Sequence, residues 1–192
     1  MRKSSIERKT KETNIAVTLD LDGKGASDID TGVGFFDHML TAVAVHGGFD
    51  LSVTCGGDLE VDAHHSIEDV GIVLGQAFLD AIGDKAGIAR YGSFTLPMDE
   101  SLARASIDVG GRAYFVYDAA FTADQIGTLD TQMIPEFFRA FAVNAQITLH
   151  LTLLYGENDH HKAEALFKAF AHALKLAAAV QGETLLTTKG VL

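Results

Sequence analysis

Apolar and polar residues alternate along two stretches of the chain, residues 12–23 and residues 100–111. Each stretch ends in glycine, so each predicts a half-buried strand that runs into a turn. The two stretches match at an offset of 88 residues, which indicates an internal repeat. Their alternating apolar residues are Ile15, Val17, Leu19 and Leu21 in the first and Ala103, Ala105, Ile107 and Val109 in the second.

Helical patterns repeat in the same way. Residues 38–51 align with residues 136–149 at an offset of 98, and both segments are predicted helices, the first closed by a Gly-Gly pair. Two longer helices are predicted over residues 66–83 and 163–180, where apolar residues recur at helical spacing. These apolar residues are Ile67, Val70, Leu74, Phe78 and Ile82 in one and Leu166, Phe167, Phe170 and Leu174 in the other.

The order of these segments predicts the fold class. Each half reads as strand, strand, helix, strand, strand, helix, with the strands grouped on one side and the helices on the other. We therefore predict an α+β protein, a two-layer sandwich formed by an internal duplication. The first half would span residues 1–88 and the second residues 89–192. No low-complexity linker separates the halves, so we expect them to pack as one compact unit.

Composition excludes several function classes. The chain has 26 acidic and 15 basic residues and a net charge of -11. This charge disfavours nucleic-acid binding, but a phosphorylated substrate remains possible if basic residues are concentrated at one site. The single cysteine, Cys55, excludes an internal disulfide framework. The first residues lack the apolar core of a signal peptide, and no apolar run approaches the ~20 residues of a membrane span. We therefore expect a cytoplasmic protein without membrane contact.

A short pattern, His-His-x-x-Glu, occurs twice at an offset of 96 residues. On a helix the glutamate stands on the side of its histidines, whereas adjacent histidines diverge by roughly 100° and so favour different ions. A lone histidine is usually a packed or solvated residue, but repetition in register favours a metal site. Imidazole with carboxylate suits Mn, Fe, Co, Ni or Zn, and the residues leave this choice open. The two copies are His64, His65 and Glu68, and His160, His161 and Glu164.

The chain resembles the imidazoleglycerol-phosphate dehydratase family along nearly its whole length. Matching blocks include RKTKETNI, GFFDHML, DAHHSIED, RYGSFTLPMDE, GENDHHKAEALFKAF and the terminal TTKGVL. The resemblance implies a lyase of histidine biosynthesis that dehydrates D-erythro-imidazoleglycerol phosphate to imidazole-acetol phosphate. It also implies two Mn²⁺ ions per active site, a dimetal-bound imidazolate intermediate, and a homo-oligomer of twenty-four subunits with active sites at subunit interfaces.

By resemblance, eight residues hold the metal ions, and one of them departs from the family pattern. Glu136 stands where the family commonly has histidine, at the repeat position of His38. A carboxylate can replace imidazole on manganese, so we expect Glu136 to bind metal, with His150 on the following strand as the alternative. The other seven ligands would be His38, His64, His65, Glu68, His160, His161 and Glu164.

Catalytic and substrate-binding roles are also implied by the resemblance. Glu164 would be the general base that removes the carbon-bound proton, Glu12 would orient substrate hydroxyls, and His65 would act as a catalytic ligand. Arginine grips phosphate with a bidentate fork, and lysine supplies a mobile charge. Ala42 replaces the glutamine that many members have near the substrate. The implied substrate-binding residues are Glu12, His46, Arg90, Asp99, Arg112, Lys168, Thr188 and Lys189.

Two other classes of protein would use the same residues. A metallohydrolase would use the ions to activate water, and it would require an open coordination position. A metal-storage shell would need the ligands alone and would leave Arg90, Arg112 and Lys189 without a role. An assay with the phosphorylated imidazole substrate separates the three classes.

Overall fold

The computed structural model describes residues 2–190, which form two halves of matching architecture. The first half contains β1 (Lys3–Lys9), β2 (Thr13–Asp20), β3 (Ser27–Asp30), α1 (Gly34–Gly47), β4 (Asp50–Gly57) and α2 (His64–Ile82). The second half contains β5 (Tyr91–Met98), β6 (Ser101–Asp108), β7 (Tyr114–Asp118), β8 (Gln125–Ile126), β9 (Leu129–Asp130), α3 (Met133–Asn144), β10 (Thr148–Tyr155) and α4 (Asp159–Ala178). The short β8–β9 ribbon has no counterpart among the described residues of the first half.

The two four-stranded sheets have the same topology. Their strand orders are β1-β2-β4-β3 and β5-β6-β10-β7, and the edge strands β3 and β7 each run parallel to their neighbour. The α+β class and the internal duplication are therefore confirmed. In each half, however, the third strand precedes the first helix, whereas we predicted it after that helix. Strand β3 has only four residues and one half-buried apolar residue, Ile29, so its hydrophobic pattern is too short to reveal it.

Helices of one half pack on helices of the other, α1 on α4 and α2 on α3. The strands bury alternate residues against these helices, so each half is a two-layer sandwich. Phenylalanine rings from all four helices fill the contact, and burying each ring contributes about 1.5–3 kcal/mol. The fully buried rings are Phe36, Phe78, Phe137, Phe138, Phe141, Phe167 and Phe170. Within residues 2–190, no helix combines the length and apolar character needed to cross a bilayer.

Two glycines let α2 and α3 approach closely. A Cβ added at Gly71 would lie 2.7 Å from the Phe137 carbonyl oxygen, and one at Gly75 would lie 2.7 Å from that of Phe141. We expect Gly71→Ala to destabilise the protein by about 1–3 kcal/mol, because the helix backbones must move apart. Denaturant unfolding measures this change. Gly34→Ala is the control, since a Cβ there meets no atom within 4 Å, and an equal loss in both variants would contradict the steric explanation.

Candidate metal centre and active site

The two histidine pairs lie in the first turn of the second helix of each half. Helix α2 begins at His64 and α4 at Asp159, before the predicted starts, so both pairs are helical. The paired rings are nearly perpendicular, at 78° for His64 and His65 and 81° for His160 and His161. The two rings of a pair also have different partners, Glu68 for His64 and Asp58 for His65, so the pair faces two directions, as expected for neighbouring helical residues.

Three side chains of metal-ligand type converge where α1 meets α4. His38 on α1 and His160 and Glu164 on α4 each offer a ligand atom, and these atoms lie within 4.8 Å of one another. The Glu164 Oε2 atom is 3.1 Å from His160 Nε2 and 3.7 Å from His38 Nε2. Glu164 is buried and both imidazoles are exposed, so the cluster opens to the surface. Two imidazoles and a carboxylate suit manganese or zinc.

Lys168 fixes the other oxygen of the Glu164 carboxylate. The Lys168 Nζ atom lies 2.6 Å from Glu164 Oε1, one helical turn further along α4. Burial acts to raise the pKa of Glu164, but the hydrogen bond and charge of Lys168, with the charge of His38, outweigh burial and hold that pKa below its ordinary value. Glu164 is therefore ionised at neutral pH, with one oxygen toward the imidazoles and one toward a cation.

The second histidine of each pair contacts a carboxylate from another element through its Nδ1 atom. Asp58 Oδ2 lies 3.0 Å from His65 Nδ1, and Glu100 Oε2 lies 2.7 Å from His161 Nδ1. These hydrogen bonds raise the pKa of both rings above the ordinary histidine value. A histidine that binds a metal commonly donates its other ring N–H to a carboxylate, and both rings have this arrangement.

Sequence reasoning missed Asp58 and Glu100. Glu100 is the repeat counterpart of Glu12, so the alignment of the halves contained a signal for it. Asp58 follows strand β4 in a loop, where no pattern marks it. The predicted residues Glu12 and Asp99 lie on the Nε2 side of the same two rings, at 3.9 Å and 3.7 Å. Asp99 is in a tight turn with φ of 49°.

The start of α4 is held by a buried ion pair and a cap. The Asp159 Oδ1 atom lies 2.8 Å from Lys162 Nζ, and Oδ2 accepts a hydrogen bond from the Thr122 backbone N–H at 3.0 Å. Asn158 caps the helix by accepting from two first-turn N–H groups. At the start of α2, Ala63 occupies the capping position and makes no side-chain cap. The second-half histidine pair therefore sits on the more firmly anchored helix end.

The other predicted ligands do not form a second cluster of three within the described residues. His64 Nε2 lies 3.6 Å from Glu68 Oε2 on the same helix. Glu136, on α3, contacts Arg139 with an Oε2–Nε distance of 3.3 Å. His150 is exposed on β10. Its two strand neighbours are buried in the core, and successive strand residues point to opposite faces, so His150 lies on the sheet face away from the helices.

A cavity of about 700 Å³ contains four of the predicted phosphate-binding residues. Arg90, Arg112, Thr188 and Lys189 all line it, and its lining among residues 2–190 includes none of the predicted metal ligands. Arg90 is held by Asp108, with Nε–Oδ1 at 2.7 Å, and its Nη1 donates to the Leu186 carbonyl at 2.7 Å. Arg90 therefore links Asp108 to the backbone of Leu186, a residue of the C-terminal segment that also lines the cavity.

His46 lies near the end of α1, in contact with α4. Its ring centroid is 5.4 Å from that of His172, which stacks on Phe94 at 4.3 Å. Burial, aided by the charge of Lys168, lowers the pKa of His46, so this ring is neutral at physiological pH. Ala42, four residues earlier on the same helix, is buried.

Fold and site together define a duplicated α+β protein with a candidate metal centre. The family model for imidazoleglycerol-phosphate dehydratase matches residues 31–174. The chain therefore belongs to the imidazoleglycerol-phosphate dehydratase family, as its sequence blocks predicted.

Curated relatives and solved structures agree with this assignment. The chain is 56% identical to the imidazoleglycerol-phosphate dehydratase of Methanosarcina mazei and 53% identical to that of Clostridioides difficile, each over 100% of both chains. The crystal structure of imidazoleglycerol-phosphate dehydratase from Staphylococcus aureus superposes with a TM-score of 0.85 at 41% identity, covering 93% of this chain and 99% of that one. The crystal structure of IGPD, the same dehydratase, from Pyrococcus furiosus in complex with (S)-C348 superposes with a TM-score of 0.85 at 35% identity. The match covers 97% of this chain and 100% of that one.

Proposed function

We propose that this chain is a hydro-lyase that dehydrates D-erythro-imidazoleglycerol phosphate to imidazole-acetol phosphate in histidine biosynthesis. Membership of the family supports the reaction class. The single observation that carries the proposal is the convergence of His38, His160 and Glu164, which brings two imidazoles and an ionised carboxylate together from both halves. Such a group has the ligand chemistry of a catalytic metal site.

We infer two manganese ions per active site from the family resemblance, and one ligand set is already assembled within the described residues. His38, His160 and Glu164 supply one ligand set, and His64 with Glu68 begins another. The second histidine of each pair is turned away from the first, so it would serve a different ion. Bound manganese would supply Lewis-acid stabilisation of the negative charge that develops on the substrate imidazole.

The carbon-bound proton of the substrate needs a base that is unprotonated at neutral pH. Glu164 meets this requirement, and Lys168 keeps one of its oxygens in a fixed position. Because a low pKa limits basicity, Glu164 would depend on close placement against the proton. Glu12, half exposed beside His65, would orient the substrate hydroxyls.

The substrate phosphate would bind in the cavity lined by Arg112, Thr188 and Lys189. Arg90 would contribute charge while its hydrogen bonds hold the C-terminal segment in place. Lys168 would add a further positive charge for the phosphate, and His46 and Asp99 would contact the remainder of the substrate. A local group of cations makes an anionic substrate compatible with an acidic chain.

A complete site would then need more than one copy of the chain. The cations and the metal ligands occupy separate linings, and the ligand imidazoles are exposed. We propose a homo-oligomer, of twenty-four subunits in line with the family resemblance, with active sites at the subunit interfaces. A cytoplasmic location and the lack of a nucleic-acid partner belong to the same proposal and agree with the acidic composition.

The decisive experiment is an assay of imidazoleglycerol phosphate turnover by the purified protein. We expect imidazole-acetol phosphate to form, detected as the enol or ketone. A protein that instead hydrolyses esters or amides would be a metallohydrolase. A protein that binds metal without turnover of either kind would be a storage shell, and either result would refute the lyase proposal.

The eighth metal ligand can be settled by metal counting. We expect Glu136→His to retain metal and activity, because both side chains bind manganese, whereas Glu136→Ala should lose much of the occupancy of one site. Arg139→Ala is the control, since it removes the ion-pair partner of Glu136 but leaves the carboxylate itself in place. Elemental analysis of the three variants and of His150→Ala decides the question. Full occupancy in Glu136→Ala with loss in His150→Ala would transfer the assignment to His150.

The Lys189 side chain should contribute to both binding and closure. We expect Lys189→Ala to raise KM and to lower kcat. A charge-assisted phosphate contact contributes roughly 1.5–3 kcal/mol, so its loss should reduce kcat/KM by about tenfold to a hundredfold. Metal content should remain unchanged. Steady-state kinetics measures the effect, with the exposed Lys24→Ala as control. Kinetics within about twofold of wild type would mean that Arg90, Arg112 and Lys168 bind the phosphate without Lys189.

A further inference from the structure

The contact between a carboxylate and the Nδ1 atom of the second histidine occurs in both halves but comes from different elements. In the first half, Asp58 in the β4–α2 loop contacts His65. In the second half, Glu100 in the β5–β6 turn contacts His161. The repeat counterpart of Glu100 is Glu12, which lies on the opposite, Nε2 side of its histidine. The same contact is thus built twice with different residues, although the rest of the motif is duplicated.

We propose that Asp58 and Glu100 are positioning residues that keep the ring proton of His65 and His161 on Nδ1 and leave the Nε2 lone pair for a metal ion. An ionised carboxylate only accepts hydrogen bonds, so the ring atom facing it must carry the proton. In a neutral imidazole the other nitrogen is then the free ligand atom. This inference rests on the proposed function, because it assigns the metal-binding atom of two of the proposed ligands.

Glu100 is much more firmly fixed than Asp58. Its Oε1 atom accepts hydrogen bonds from the backbone N–H groups of Glu157, at 3.2 Å, and Asn158, at 2.8 Å, and from the Ser101 hydroxyl, at 3.0 Å. These donors immediately precede α4 or lie beside Glu100, so the carboxylate cannot rotate without losing them. Within residues 2–190, both carboxylate oxygens of Asp58 are directed only at His65.

This difference gives opposite expectations for two conservative substitutions. In Glu100→Gln, the amide oxygen must stay with the backbone N–H groups, so the amide NH₂ faces His161 Nδ1 and donates to it. The ring proton of His161 then moves to Nε2, the atom needed for metal. In Asp58→Asn, the side chain is free to turn its amide oxygen toward His65 Nδ1, so the ring proton stays in place.

Histidine-selective ¹⁵N NMR of the full-length protein, at a pH where the rings are neutral, reports which nitrogen carries the proton. We expect wild type and Asp58→Asn to show Nδ1–H for His65 and His161, and Glu100→Gln to show Nε2–H for His161. A Mn²⁺ titration followed by electron paramagnetic resonance measures metal affinity. We expect Glu100→Gln alone to bind Mn²⁺ about tenfold to a hundredfold more weakly, the usual loss when a hydrogen-bond partner of a metal ligand is removed. A merely structural role would lower the melting temperature without moving the ring proton.

A second pair keeps the proposal testable if Glu100→Gln fails to fold. Asp58→Ala removes the acceptor from an open loop, so it should abolish the Nδ1–H preference of His65, whereas Asp58→Asn retains it. If Glu100→Gln does not fold, a ring proton of His65 that stays on Nδ1 in Asp58→Ala overturns the proposal by itself; if it folds, an unchanged ring proton of His161 does so. Absence of Mn²⁺ binding by the wild-type chain would instead count against the proposed function, since the NMR result stands independently of metal.

Discussion

Replacement of Glu164 by glutamine is expected to lower kcat/KM by about a thousandfold or more and to reduce the bound manganese. The amide removes the negative charge that faces His38 and His160, and it cannot accept a proton from substrate. It also leaves Lys168 without its ion-pair partner in a largely buried position. Steady-state kinetics together with elemental analysis of the purified variant measures both effects.

A matched control for this substitution is Glu60→Gln, an exposed carboxylate in the loop before α2, which should behave as wild type. Two results would change the interpretation of Glu164. Full activity would show that its carboxylate only stabilises the α1–α4 contact. Lost activity with full metal content would assign it to proton transfer rather than to metal binding.

Removal of the metal by chelation is expected to abolish turnover and to break the assembly into smaller particles. The metal ligands come from both halves and, under our proposal, from different subunits, so the ions join these parts of the assembly. Removing the ions also removes the metal-binding free energy that favours the assembled state. Restoring Mn²⁺ should recover both activity and size. Light scattering and the dehydratase assay on the same samples follow the two properties in parallel.

The control for chelation is the same chelator saturated with Mn²⁺ beforehand, which should leave size and activity unaltered. A particle of unchanged size after verified metal removal would show that subunits associate through other contacts. Turnover that persists in the metal-free protein would contradict the assignment of a metal-dependent reaction.

Much of the fold could be predicted because the helices have long, periodic hydrophobic faces. Helix α1 ends at Gly47 and is followed by Gly48 in the left-handed conformation, with φ of 69°, as the Gly-Gly pair indicated. The edge strand β3 could not be placed, because an edge strand buries little and its pairing with β4 is decided by tertiary contacts. Short strands of this kind leave almost no periodic signal.

The candidate site was predicted only where the ligand chemistry is encoded locally. The His-His-x-x-Glu spacing fixes which residues share a helix turn, so the pairs and their divergent directions follow from sequence. Lys168 follows Glu164 by four positions, so its contact with that carboxylate is also of the local kind. Asp58 and Glu100 instead approach His65 and His161 from loops, and only the folded arrangement shows these contacts.

The cluster at the α1–α4 contact takes His38 from the first half and His160 and Glu164 from the second. Neither half contains this group alone, because the first helix of one repeat must meet the second helix of the other. An isolated half would therefore have to pair with another copy to create a comparable site. Fusion of two such units into one chain makes that pairing intramolecular, so the cluster assembles at a high effective concentration that no longer depends on how much protein is present.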